Sequence, residues 1–451
     1  MKKRSGVLLP LFSLPGRFGI GTLGAGARGF LDKLSACGFS LWQILPFCPP
    51  DAYRSPYSGR SSFAADTAYI DPDELVAAGL LRPSEAEAAV CPPSSCVAGD
   101  VAARRAVLLA AAAARADRAS VEQFLHENPE TATYCRLAAA REEIPFFTLA
   151  FGQYEFHRQW QALRLYAAAR GIAILGDLPI YSAPESYDTL AYPKAYRQGG
   201  DVAGAPPDMF SHDGQVWGNP LYDYGAGKAD AYALLRARLA FLRERFDGLR
   251  LDHFRGYSGF YAIPQGAKAT EGRWEAGPGQ AFLDTVRDLT EGYPIIAEDL
   301  GVIDEATVRL REDNGFLSTR VFRFAFLGDP ESPHLPHNYR EDCAAYSGTH
   351  DNETLAEYLG SLTKEESDAV GAYCRISQGE SLSDAVIRTL LHSAAGYVIL
   401  PLADLLGMGA EARINVPGRA EGNWRFRIGE EALSRLDVAR YRRLLTESDR
   451  I

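Results

Sequence analysis

Acidic residues recur at the ends of short apolar runs. The runs are Leu249-Arg250-Leu251-Asp252-His253-Phe254-Arg255, Ile295-Ile296-Ala297-Glu298-Asp299-Leu300, Ser347-Gly348-Thr349-His350-Asp351-Asn352 and Leu175-Gly176-Asp177-Leu178-Pro179. Alternation along a strand puts Arg250 and Asp252 on one side, roughly 6.6 Å apart along it. A guanidinium in that place holds a carboxylate ionised. Two carboxylates facing each other across a pocket are the equipment of glycosidic-bond chemistry. One is ionised, to attack or stabilise an oxocarbenium-like centre; the other is protonated, to help the leaving oxygen depart. Arg250 makes Asp252 the ionised member, and Glu298, with no adjacent cation in sequence, is the better acid. A lone Asp is as often a cap or loop carboxylate, but four strands delivering acids to one rim point to a site.

Aromatic residues beside polar ones supply the second half of the pattern. Ser55-Pro56-Tyr57, Pro206-Pro207-Asp208-Met209-Phe210 and Trp217-Gly218-Asn219-Pro220 lie in loop-like stretches. Sugars have an apolar face and a ring of hydroxyls, which suits such surfaces. Tyr57, Phe210, Trp217, Tyr257 and Trp274 are the candidates. Each alone is more often core than platform; Trp217, in a Gly- and Pro-rich loop with little core to offer it, is the exception.

These residues need a frame that brings strand ends together. Short apolar runs bounded by turn residues occur at Gly6–Leu11, Leu41–Pro46, Ile172–Leu178, Gly248–Asp252, Pro294–Glu298, Thr319–Phe324, Ala344–Thr349 and Tyr397–Pro401. Several are continuous apolar runs, as expected of strands covered on both faces. Helical patterns fall between them, at Ala27–Cys37, Phe151–Arg170 and Ala231–Phe246; the last has Leu234, Leu235, Leu239 and Leu242 at helical spacing. Eight strands alternating with helices predict a (β/α)₈ barrel, an α/β fold. Gly19-Ile20-Gly21-Thr22-Leu23-Gly24 has the Gly-x-Gly-x-x-Gly spacing but does not directly follow the first apolar run, which disfavours a nucleotide-binding sheet. The whole chain, 1–451, reads as one catalytic barrel. Two stretches are too long for simple connections: 49–145, largely helical, after the second strand, and 181–227, rich in Pro and Gly, after the third. Both follow a strand and so rise over the C-terminal face, where barrel active sites are built.

Composition sets outer bounds. The 451 residues are 47% hydrophobic and 23% charged, and 47 Lys+Arg against 58 Asp+Glu give a net charge of −11. That balance is ordinary for a globular chain, and an acidic chain without a basic stripe is not expected to bind nucleic acid. The N-terminal Val7–Phe12 run is short and broken by Pro10 and Pro15, so it reads as a first strand rather than a signal peptide. The Ala-rich run from Ala106 to Ala114 is too short to span a bilayer. Seven cysteines, an odd number in a long chain, suggest reduced thiols and a soluble cytoplasmic protein without membrane partners. No cofactor and no metal is expected. Cys91 and Cys96 lack a second pair at zinc spacing, and the neighbours Asp252-His253 and His350-Asp351 would point to opposite faces of a strand, which is poor chelating geometry.

At these motifs the sequence resembles the amylomaltases, the 4-α-glucanotransferase or disproportionating-enzyme family, glycoside hydrolase family 77. The likeness runs from about Ser5 to Arg427. It includes Leu14-Pro15-Gly16, Trp42-Gln43-Ile44-Leu45-Pro46, Ser55-Pro56-Tyr57, Gly176-Asp177-Leu178-Pro179 and Trp217-Gly218-Asn219-Pro220-Leu221-Tyr222. Further segments are Arg250 to Gly256, Ala297-Glu298-Asp299-Leu300-Gly301, Leu335-Pro336-His337-Asn338-Tyr339, Thr349-His350-Asp351-Asn352 and Gly422-Asn423-Trp424. The resemblance implies a (β/α)₈ barrel with inserted subdomains, no C-terminal β-domain, and a retaining double displacement on α-1,4-glucans and maltooligosaccharides. By position Asp252 is similar to the family nucleophile, Glu298 to the acid/base and Asp351 to the third carboxylate, which holds the distorted sugar. The implied substrate-binding set is Ser55, Tyr57, Asp177, Asp208, Phe210, Trp217, Asn219, Arg250, His253, His350 and Asn352, with Pro207–Trp217 similar to the loop over the acceptor side. The departures are Met209 where many relatives have an aromatic, Ala64-Ala65-Asp66 after the Ser-Pro-Tyr motif, and Phe426 in place of a frequent Trp. A net α-1,4-glucan hydrolase with the same carboxylates is the alternative. A silent glucan-binding protein would be marked by loss of Asp252 or Glu298, and both are present.

Overall fold

The computed structural model describes residues 2–207 and 212–451. Its strands are β1 (Arg4–Leu8), β2 (Leu41–Gln43), β3 (Ala173–Leu178), β4 (Asp201–Ala205), β5 (Gln215–Pro220), β6 (Gly248–Leu251), β7 (Gly259–Pro264), β8 (Arg273–Ala276), β9 (Ile295–Ala297), β10 (Leu317–Val321), β11 (Cys343–Tyr346) and β12 (Tyr397–Pro401). Eight of them close a parallel barrel in the order β1-β12-β11-β10-β9-β6-β3-β2. These are the eight expected from the sequence. Most end earlier than the apolar runs do: β10 gives way to a 3₁₀ turn at Phe322–Phe324, and β11 stops before Ser347.

Period-two alternation fills the barrel. Leu8, Leu41, Leu175, Ile296, Leu317, Ala344, Tyr346, Tyr397 and Ile399 form one compact cluster inside it, and the Tyr346 hydroxyl donates to Gln43 Oε1 at 2.8 Å across the lumen. The opposite parity packs against helices. Helix Lys228–Arg243 buries Ala231, Leu234, Leu235, Arg238, Leu239 and Leu242, a stripe at helical spacing. Gly176 faces outward, and a Cβ there would come within 2.5 Å of the Phe246 ring. Only glycine lets that ring pack against the sheet directly beside Asp177.

Between β2 and β3 the chain runs through helices Pro72–Ala77, Pro83–Glu87, Val101–Ala113, Arg118–Glu127 and Pro129–Glu142 before the long helix Phe146–Ala168. Helices therefore occur in both halves of that stretch. Between β3 and β6 lie helix Tyr187–Ala191 and strands β4 and β5. A third excursion, which the sequence did not suggest, follows β6: β7 and β8 join β4 and β5 in an antiparallel sheet ordered β5-β4-β7-β8. After β12 the described elements are helical. Among the described residues no helix is long and apolar enough to cross a membrane, and all seven cysteines are unpaired.

Candidate active site

Three adjacent barrel strands converge on one guanidinium. Arg250 rises from β6 into the barrel mouth between β3 and β9. Its Nη1 donates to both oxygens of Asp177, 2.8 Å each, and to Asp252 Oδ1 at 3.0 Å, while Nη2 lies 3.6 Å from Glu298 Oε2. Asp177 sits in β3 paired in register with Arg250, and Asp252 and Glu298 directly follow β6 and β9. The arginine and Asp177 are buried, whereas the Asp252 and Glu298 side chains keep 23% and 19% of their surface and so reach the cleft.

A short backbone link fixes the two reacting carboxyls relative to each other. His253 follows Asp252 with φ +44°, in the left-handed region a non-glycine residue seldom occupies. That turn aims its N–H at Glu298 Oε2, 2.5 Å away, while the Phe254 N–H donates to the Glu298 carbonyl at 3.0 Å. Local strain of this kind persists only where the surroundings hold it.

The opposite wall is aromatic. Tyr57, on the short turn Pro56–Ser58, donates its hydroxyl to Asp177 Oδ2 at 2.7 Å. Its ring stacks on His350 at 5.1 Å and 11°, and Trp424 flanks both rings at 5.9 Å. His350 Nε2 is 3.3 Å from Asp351 Oδ2. A continuous chain of contacts thus runs from Asp351 through His350, Tyr57, Asp177 and Arg250 to Asp252.

Burial dominates the titration of this cluster. Burial pushes the Glu298 carboxyl up to about 8 against the nearby Arg250 charge, with Asp252 and Asp351 adding to the rise. Glu298 has no cationic neighbour in sequence, but in space Arg250 lies beside it, and burial outweighs that charge. Asp177 is likewise pushed up to about 7 by burial, opposed by Arg250 and the Tyr57 hydroxyl. Burial lowers His253 to about 4 and lowers His350, so both imidazoles are neutral near pH 7. Among the described residues, His253 Nε2 and His350 Nδ1 are buried without a hydrogen-bond partner.

The remaining expected residues divide by position. Trp217, on β5, sets its ring edge-on to His253 at 4.8 Å. Ser55 starts the turn that carries Tyr57, its N–H held by Asp51 Oδ1 at 2.8 Å. Asn219 Nδ2 donates to the Ser182 carbonyl at 3.0 Å, tying β5 to the loop after β3. Asn352 Oδ1 accepts the Thr349 N–H at 2.9 Å and shapes the turn around Asp351. Tyr257 is a core residue stacked between Phe254 and Phe282, because a helical turn over Arg255–Ser258 points it inward. Trp274 is half-exposed on β8 against Tyr261 and Arg255. Asp208 and Phe210 lie outside the described residues.

Two residues of the site escaped sequence reasoning. Asn415 Nδ2 donates to Asp351 Oδ1 at 2.6 Å, and its N–H donates to the His350 carbonyl at 3.1 Å. Asn415 lies in irregular chain, where no periodicity marks a side chain's direction. Trp424 stood in a noted motif, Gly422-Asn423-Trp424, but its left-handed φ of 60°, which swings the ring onto Tyr57 and His350, is invisible in the sequence.

A parallel eight-stranded barrel whose C-terminal rim gathers three carboxyls around one guanidinium beside an aromatic wall has the design of an enzyme for glycosidic bonds. The model of the 4-alpha-glucanotransferase family matches residues 9–148 and 138–432. The chain belongs to this family, glycoside hydrolase family 77. It is 37% identical to the 4-alpha-glucanotransferase of Aquifex aeolicus, over 95% of this chain and 96% of that one. It is 36% identical to the chloroplastic/amyloplastic 4-alpha-glucanotransferase of Arabidopsis thaliana, over 100% of this chain and 84% of that one. Among solved structures, the amylomaltase from Streptococcus agalactiae in complex with acarbose matches with a TM-score of 0.95 and 31% identity, each chain covered completely. The amylomaltase from Corynebacterium glutamicum, at 19% identity, shares the fold with a TM-score of 0.83 over all of this chain and 75% of that one.

Proposed function

We propose that the protein transfers α-1,4-glucan segments between maltooligosaccharides by a retaining double displacement. The observation that carries this reading is the single guanidinium, Arg250, facing Asp177, Asp252 and Glu298 at once. Arg250 engages Oδ1 of Asp252 and leaves Oδ2 for attack on the anomeric carbon. As that bond forms, the glycosidic C–O bond breaks and Glu298 gives its proton to the leaving oxygen. Oε2 of Glu298 already accepts the His253 N–H, so the proton resides on Oε1. In the second half an acceptor hydroxyl attacks the same carbon and returns its proton to Glu298, and the ester bond to Asp252 breaks. Asp351 holds the flattened sugar ring. Segments 49–145 and 181–227 serve as subdomains walling the cleft, since Tyr57 comes from the first and Trp217 from the second. The seven free thiols suit a reducing cytoplasm, and neither nucleic acid nor a membrane is a partner.

Transfer requires the glycosyl-enzyme to meet a sugar hydroxyl before water does, which acceptor binding and water exclusion arrange. Family membership favours transfer over net hydrolysis. Incubation with maltotriose tests this: transfer releases glucose while the number of reducing ends stays constant. A rise in reducing ends equal to the bonds cleaved contradicts it.

Three results are expected from the site. Glu298→Gln lowers maltotriose turnover by about 10³-fold, while the first step alone, fluoride release from a glycosyl fluoride, recovers in part because that leaving group needs no proton. Equal damage on both donors contradicts an acid role. Glu298 is active while protonated and its carboxyl is raised to about 8, so kcat/KM on maltotriose is full below that value and falls as pH rises through it. The fluoride donor with Glu298→Gln lacks that limb. Asn415→Ala, which frees Asp351 from a charge-assisted bond, lowers kcat by about 10- to 100-fold; an unchanged kcat rules out its hold on Asp351.

A further inference from the structure

Asp404 is a buried carboxyl that the proposed reaction does not use. It lies on the helical turn Leu402–Leu405 after β12 and is 3% exposed. Its Oδ2 accepts the Ser347 hydroxyl at 2.6 Å, and its Oδ1 accepts the Leu355 N–H at 2.8 Å. Ser347 is the first residue after β11, and Leu355 opens the helix Leu355–Ser361. The stretch between them carries His350 and Asp351. One carboxyl therefore grips both stems of the loop that presents Asp351.

The interior of this loop is held separately. Asn352 Oδ1 takes the Thr349 N–H and hydroxyl, and the Asn352 N–H returns to the Thr349 carbonyl at 3.2 Å. These bonds set the shape of the turn but not its place in the barrel mouth. Placement comes from Asn415 on one side, from the ion pairs of Glu353 with Arg323 and Arg413, from the stacking of His350 on Tyr57, and from Asp404, which alone ties the two stems to one group. Burying an ionisable group here is costly: burial pushes its carboxyl up to about 6, with no neighbouring cation in opposition. An apolar side chain would cover the same space at no such cost, but it could not accept two donors from opposite ends of a loop.

We propose that Asp404 is a positioning residue, clamping Ser347 and Leu355 together so that Asp351 meets the sugar ring at the transition state. This rests on the reading of Asp351 as the third carboxylate of the reaction. A clamp acting through Asp351 affects transition-state binding far more than ground-state binding. Its loss therefore lowers kcat and leaves KM nearly untouched.

The test uses full-length Asp404→Leu, Asp404→Asn, Ser347→Ala and Asp351→Asn, with maltotriose kinetics, thermal midpoints and the affinity for acarbose, whose unsaturated ring has the flattened shape of the transition state. Asp404→Leu is expected to lower kcat about 30-fold with KM within about 3-fold, and to weaken acarbose by a factor like that in kcat. Asp404→Asn stays within about 3-fold of the parent, because its carbonyl accepts the Leu355 N–H and its amide donates to the Ser347 hydroxyl. In the Asp351→Asn background, Asp404→Leu costs less than about 3-fold more, since the group it positions is already gone. A full further 30-fold loss in that background, a KM effect without a kcat effect, or equal damage from Asn and Leu overturns the proposal. If Asp404→Leu does not fold, Ser347→Ala, which removes one anchor and adds no bulk, is read by the same criteria. The underlying reading fails on a different result: near-normal turnover by Asp351→Asn alone.

Discussion

Asp252→Asn lowers turnover on maltotriose at least about 10³-fold while the barrel stays folded. The substitution conserves shape, and the amide oxygen can still accept from Arg250, so the hydrogen bond that spans 3.0 Å in the parent has a replacement. What is lost is the negative oxygen that forms the ester to the anomeric carbon. Without it the main route closes, and the residual rate comes from binding and from Glu298 acting on a water or acceptor directly. The check is the initial rate of glucose release beside the far-ultraviolet circular dichroism and thermal midpoint of the same sample. Near-parent turnover in a folded variant removes Asp252 from the mechanism. Asp252 has a partly open side chain at the end of a rigid strand, so little refolding accompanies the change.

The second large effect is expected at Arg250. Arg250→Met leaves Asp177, Asp252 and Glu298 around a site without its cation. Removing one partner of a buried ion pair costs about 3–5 kcal/mol because the remaining charge is uncompensated. Part of that cost is avoided by proton uptake. Asp177 and Glu298 are already raised by burial, and loss of the guanidinium raises them further. A carboxyl whose folded value is raised contributes stability that is present at low pH and lost as pH rises through that value. Arg250→Met is therefore expected to be destabilised more at pH 8 than at pH 5, as urea midpoints at the two pH values measure. Turnover falls by about 10³-fold, since Asp252 loses the charge that holds it ready and the cleft loses its floor. A variant equally stable at both pH values, with turnover within about 10-fold of the parent, contradicts the electrostatic account.

Several of the barrel strands were legible because burial on both faces turns them into continuous apolar runs such as Tyr397–Pro401. Asp252, Glu298 and Asp177 were legible for a related reason: a charged residue ending an apolar run stands out. Asp177 could not be connected to Arg250 from sequence, because their contact depends on the register between β3 and β6. The same limit hid the proximity of Arg250 to Glu298. The sheet of β4, β5, β7 and β8 was missed for two physical reasons. Its strands come from excursions on either side of β6, and its edge strand, Arg-Trp-Glu-Ala, is mostly exposed and lacks a buried face. Tyr257 looked like a loop aromatic beside the motif around Asp252, but a single helical turn carries it into the core. Asn415 and Asp404 gave no signal, since an isolated polar residue in irregular chain, or at the first turn after a strand, acquires its meaning from what folds against it.

The most direct test of the account is to trap the glycosyl-enzyme. Glu298→Gln incubated with a maltosyl fluoride forms the covalent species without needing an acid, then stalls because the base that activates the acceptor is gone. Mass spectrometry of the intact protein and of its peptides is expected to show one added maltosyl group, carried by the peptide containing Asp252 at that carboxyl. A sugar attached to any other residue, or rapid turnover of the fluoride with inversion of the anomeric centre, contradicts it.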